Sequence, residues 1–204
     1  MPDARGHDLI TLATGAALAP AAMILQSGAG VAADVATSAA AALVIGHVIS
    51  GCLFSPDLDL DSAIDNRWGI FFFIWRPYTW AVPHRHFWSH GLIIPPLFRL
   101  LYFYCVVFVF LVGGAWLLGR LGIAVPDLHS RLAYWLRDTA RDHPREVWAF
   151  LLGFITGGAA HTAADWLVTG GKRYLRLLGI RVTRDYHGHD RWQPRHVRRR
   201  SWGR

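Results

Sequence analysis

Three short stretches of this sequence carry residue types and spacings able to do chemistry, and all are built from carboxylates and imidazoles. In SPDLDLDS (55–62), Asp57, Asp59 and Asp61 alternate with Leu58 and Leu60, so an extended backbone turns the three carboxylates to one side. A calcium loop of the helix-loop-helix kind is excluded, because its sixth position would be Ser62 rather than glycine and its twelfth Trp68 rather than an acid. Alone, the stretch reads equally well as a solvated acidic turn. In HRHFWSHG (84–91), His86 and His90 can share one helix face, whereas His84 and His90, six apart, cannot, so two geometries are open. A buried histidine needs partners for its ring nitrogens, so three imidazoles packed this closely read better as a ligand cluster than as core. His161 and Asp165 stand at i and i+4 and project from one face of a helix, as a ligand pair or as a plain hydrogen-bonded pair.

Mixed imidazole and carboxylate donors suit zinc, manganese or iron better than calcium or magnesium. The candidates exceed one tetrahedral shell, which allows one or two divalent ions. His47 lies about ten residues before Asp57, roughly 15 Å along a helix, and reads as a packing or polar-glue histidine. Cys52 and Cys105 have no CxxC spacing and fall in apolar runs, so neither a disulfide framework nor a thiolate metal site is indicated.

The elements that must position these groups are apolar helices. The 53% hydrophobic content is concentrated in four runs free of Asp, Glu, Lys and Arg: Leu9–Leu25, Val35–Phe54, Leu100–Leu118 and Val147–Ala164. Each approaches the roughly 17–25 residues that a helix needs to cross a bilayer. The expected fold is therefore all-α, a polytopic membrane bundle of about four transmembrane helices with interfacial segments. The first run, with Pro20 inside it and VAA at 31–33 after it, has a competing reading as a signal segment. The preceding MPDARGHD carries one Arg against two Asp, whereas a secretory leader starts positive, so retention as a helix is favoured. The aromatic stretch Trp68–Val82 is too short, and too broken by Arg76 and Pro77, to span; it is expected to be re-entrant or to lie at the interface. Around Asp127–Asp142, Leu128, Leu132, Trp135 and Leu136 share one side of a surface helix.

Charge sets the expected orientation. Eleven of the 21 Lys and Arg lie in Lys172–Arg204 against only Asp185 and Asp190, so the basic character belongs to a tail. A basic cluster beside a helix end marks the cytoplasmic side. The chain divides accordingly into a membrane-embedded metal-binding domain, 1–171, and a basic cytoplasmic tail, 172–204. Both termini are then cytoplasmic, and His7, the Asp57–Asp61 edge, His84–His90 and His161/Asp165 fall near one membrane face. The tail is expected to bind anionic lipid head groups, at roughly 1 kcal/mol per basic residue near the surface, rather than any specific nucleic acid.

Together GHD (6–8), SPDLDLDS, RWG (67–69), RPY (76–78) and HRHFWSHG resemble a bacterial family of predicted metal-binding membrane proteins. That family in turn looks like the YdjM-like membrane-bound metal-dependent hydrolases, whose pattern is an early His, PDxDH, HRGxTHS and a late HxxxD. The resemblance implies a multi-pass protein of the bacterial inner (cytoplasmic) membrane with His7, Asp57, Asp59, His84, His90, His161 and Asp165 as the metal set; Asp61 and His86 fit the pattern less well. Two departures stand out: the His84–His90 spacing is six rather than five, and Leu60 replaces the last histidine of PDxDH. The function expected is a metal-dependent hydrolase acting on phosphoester or acyl substrates, lipid among them, at the inner membrane surface. The alternatives are a structural metal site without catalysis and, ranked last because deep ligands are few, a metal transporter.

Overall fold

A computed structural model describes residues 4–55, 58, 65–82, 91–125 and 127–177. The architecture is helical throughout the described residues: α1 (Ala4–Gly28), α2 (Ala33–Leu53), α3 (Asp65–Trp68), a 3-10 turn (Gly69–Trp75), α4 (Arg76–Ala81), α5 (Ile94–Arg120), α6 (Leu128–Asp142) and α7 (Pro144–Leu177). Four helices contain segments long and apolar enough to cross a membrane: Arg5–Gly28, Ala33–Leu53, Ile94–Arg120 and Pro144–Val168. They coincide with the four uncharged runs.

Helix α2 forms the centre. Its buried positions, Ala36, Ala39, Ala40, Leu43, Gly46, His47, Ser50 and Gly51, recur at helical spacing and are mostly small. Small residues let backbones approach, and α2 packs most extensively on α7, then on α1. The approach is closest at three glycines. A methyl group on Gly153 would strike the Leu43 carbonyl, one on Gly46 the Phe150 carbonyl, and one on Gly157 the His47 carbonyl. Gly153 and Gly157 are four apart in GFITG, so consecutive turns of one α7 face meet the α2 backbone directly.

At the end of α2 the packing changes from small residues to aromatic rings. Phe54 sits at the hub, with Trp75, Phe103 and Phe154 ring centres at 5.4, 5.3 and 5.2 Å. Leu58, Tyr78 and Val82 complete the cluster, and Leu58 is fully buried. The Tyr102 hydroxyl donates to the Ile74 carbonyl at 2.5 Å, tying the 3-10 turn to α5. Gly69, at φ +51°, makes the reversal from α3 into that turn in a region that L-residues avoid. The segment is thus clamped from one side by Trp75 and Tyr78, while Ile70, Phe71, Phe73 and Trp80 remain exposed on the other.

Helix α6 buries no residue, and Leu128, Trp135 and Leu136 lie open on it.

Candidate metal centre

The first turns of α1 and the later turns of α7 place three ligand-type side chains together. His7, Thr11, Thr14 and Gly15 lie on the face of α1 turned into the bundle, and Gly153, Gly157, His161, Ala164 and Asp165 on that of α7. The glycine contacts draw α2 and α7 together, and α1 closes over both. Thr11 fits against Gly51, where no side chain intervenes, and Gly15 lies over the His47 ring.

His7, His161 and Asp165 are 4%, 1% and 6% exposed. The imidazoles of His7 and His161 are stacked, ring centres 3.7 Å apart and planes 13° from parallel. Both rings turn Nε2 toward one carboxylate: His7 Nε2 lies 3.2 Å from Asp165 Oδ1, and His161 Nε2 lies 3.8 Å from Asp165 Oδ2. A shell with bonds of about 2.0–2.2 Å in tetrahedral geometry separates its donor atoms by roughly 3.3–3.6 Å, and the 3.2 and 3.8 Å here fall just either side of that range, so small shifts would bring these donors onto one cation. Neither ring nitrogen of His7 and neither oxygen of Asp165 makes a hydrogen bond among the described residues. Buried polar atoms are rarely left so, and a cation between them satisfies donors from both helices at once. The donor set, two imidazoles and a carboxylate, is the one expected for zinc and its neighbours.

These contacts make the site a joint between the two ends of the described chain. His161 and Asp165 meet as their i, i+4 spacing requires; His7, more than 150 positions away, meets them only through the fold. Of the other expected ligands, Asp57, Asp59, His84 and His90, with Asp61 and His86, lie outside the described residues.

Residues 2–175 match the family model described as uncharacterized metal-binding protein (DUF2227). The chain belongs to this family. The DUF2227 match spans all the long apolar helices, so the metal-binding description applies to the bundle that brings His7, His161 and Asp165 together. No curated protein and no solved structure matches the chain.

His47 is engaged elsewhere. Its Nε2 lies 3.1 Å from the Thr11 carbonyl and 2.8 Å from Thr14 Oγ1, and its Nδ1 lies 3.0 Å from Thr156 Oγ1. The carbonyl can only accept, so Nε2 carries a proton and donates it to Thr11; the Thr156 hydroxyl beside Nδ1 itself donates to the Gly153 carbonyl at 2.9 Å. One ring thereby ties α1, α2 and α7. In this DUF2227 protein, His47→Leu is expected to cost about 1–3 kcal/mol of stability by orphaning these groups, measured by denaturant titration in detergent, with metal content unchanged.

Several contributors lie outside the ligand candidates picked from sequence. Arg67 donates to Asp8 Oδ2 at 2.6 Å and to the Cys52 carbonyl at 2.5 Å, and Trp68 Nε1 donates to the Leu53 carbonyl at 3.0 Å. Their signal was the RW dipeptide, which by itself names no partner. The glycine pair in GFITG was readable as a close-packing motif. Arg99, 1% exposed near the start of α5, shows no sequence sign of its burial.

Proposed function

We propose that this protein holds a divalent cation, zinc above all with manganese or iron as alternatives, through His7, His161 and Asp165 at the inner face of the bacterial cytoplasmic membrane, and uses it for hydrolysis. The observation that carries the reading is the convergence of three buried donors from two helices on one point. Three protein ligands from the bundle leave a coordination position over, the pattern of catalytic rather than closed structural zinc sites. When bound, the ion supplies Lewis acidity toward a phosphoryl or acyl oxygen and an activated water. Asp165 and the two imidazoles would orient it, and their burial keeps bulk solvent out.

The remaining members of the set that the family resemblance implies, Asp57, Asp59, His84 and His90, stay further ligand candidates in this reading and lie outside the described residues. The exposed aromatic face of the Gly69–Ala81 segment fits an inner-leaflet setting, because aromatic side chains favour the membrane interface. Lipid-like amphiphiles are the substrates with the shortest route to such a site, and anionic head groups are the partner that the charge of the basic tail favours. The resemblance to the YdjM-like hydrolases points the same way.

A structural role is favoured by a different observation, the near-complete burial of the three donors, which suits an ion that staples α1 to α7. Elemental analysis of detergent-purified wild type beside His161→Ala and Asp165→Asn tests the binding claim common to both. Metal is expected in the wild type and lost from both variants; equal content in all three would remove α7 from the site. Phosphoesterase and acyl-hydrolase assays on the metal-loaded protein then separate catalysis from stapling.

A further inference from the structure

The third residue of the GHD stretch faces away from the metal centre and toward a different partner. Asp8, next to His7 in the first turns of α1, receives Arg67 Nη2 at 2.6 Å, and Arg67 Nη1 reaches the Cys52 carbonyl near the end of α2 at 2.5 Å. The neighbouring Trp68 donates to Leu53, and its ring packs on Phe54 and Trp75 at 5.7 and 5.3 Å. A helix start has no intrahelical partners for its first amides and frays unless something outside holds it. His7 stands in that start, so its alignment with Asp165 depends on whatever fixes the turn. Thr11 and Thr14 are held by His47 one turn and more further on, and Asp8, next to His7, is held by Arg67.

We propose that Arg67 is the positioning residue of the metal centre: by binding Asp8 and the α2 terminus together it sets the turn that presents His7, and it couples occupancy of the site to the aromatic segment Gly69–Ala81. The proposal rests on His7, His161 and Asp165 being the ligands. The coupling is reciprocal, because any contact that lowers the cost of ordering His7 for metal is itself strengthened when metal orders His7. Metal binding therefore tightens α3 and the 3-10 turn through Asp8 and Arg67, without touching them. The planar fork of arginine matters here, since it serves a carboxylate and a carbonyl at once, and lysine offers only a point charge.

The test measures zinc affinity by competition with a chromophoric chelator in wild type, Asp8→Asn, Arg67→Met, Arg67→Lys and the Asp8→Asn/Arg67→Met double variant. Each single loss is expected to weaken zinc binding about tenfold, the range found when an outer-shell partner of a metal ligand is removed. Arg67→Lys recovers part of it, and the double variant is no weaker than either single one. Hydrogen exchange across residues 65–81 slows on zinc addition in wild type and does not respond in Arg67→Met held at saturating zinc, a readout that a merely stabilising ion pair would leave unchanged. Wild-type affinity in both Arg67→Met and Asp8→Asn overturns the proposal, as does an unaltered exchange response in Arg67→Met. Should Arg67→Met fail to fold, Asp8→Asn, which keeps shape and removes the charge, carries the same expectations. A wild type that binds no zinc refutes the ligand assignment instead; faster exchange of the α1 start in Arg67→Met would still show that the Arg67–Asp8 pair holds that turn.

Discussion

Gly153→Ala is expected to destabilise the bundle by about 3 kcal/mol, the upper end of the penalty for adding a methyl group to a packed contact. The added carbon would fall on the Leu43 carbonyl and crowd the His47 amide. Neither is the end of a flexible side chain, so relief requires α2 and α7 to move apart. That separation also withdraws Thr156 from His47 and the α7 donors from α1, which makes metal loss a secondary consequence. Gly113→Ala and Gly114→Ala in α5 are the controls, because nothing lies within 4 Å of the added atom at either position. Each should be neutral or stabilising by up to about 1 kcal/mol through helix propensity. Denaturant titration in a single detergent compares the three. Equal behaviour of the α7 and α5 glycines would show that the α2–α7 approach is not the one described.

The second large effect concerns metal and stability together. A cation held only by the folded protein at a hundred times its dissociation constant stabilises by about 2.7 kcal/mol. Asp165→Asn preserves the shape of the side chain and removes the charge, and is expected to weaken affinity by at least about a hundredfold, beyond the loss of an outer-shell partner. At the same zinc concentration its stabilisation then falls to about 0.4 kcal/mol. Thermal unfolding with and without zinc therefore shows a large upward shift in wild type and almost none in the variant. The same shift in both would mean that zinc acts elsewhere on the chain.

The elements were legible because lipid-length helices advertise themselves as uncharged runs, but those runs stopped short of the chemistry. The first run begins at Leu9, whereas α1 begins at Ala4 and carries His7 in the omitted turn. The fourth run ends at Ala164, one residue before Asp165, in a helix that continues to Leu177. Charges define a run's edges, and a metal centre at the end of a bundle needs those charges. Asp8 tolerates its place because Arg67 neutralises it. The His161/Asp165 pair was readable from local spacing alone. What local spacing could not show was which distant residue completes it, since the meeting of His7 with Asp165 follows from glycine contacts among three helices and not from any local pattern. His47 was legible as polar glue, although its threonine partners are visible only once α1 and α7 lie beside α2.

The central claim is that the early histidine and the late His/Asp pair share one ion. Zinc-edge X-ray absorption of the loaded protein and of His7→Ala addresses it directly. The expected result is a first shell of nitrogen and oxygen at about 2.0–2.2 Å with outer scattering from at least two imidazoles, dropping by one in the variant. Sulfur scattering near 2.3 Å, or an imidazole count indifferent to His7, would contradict it.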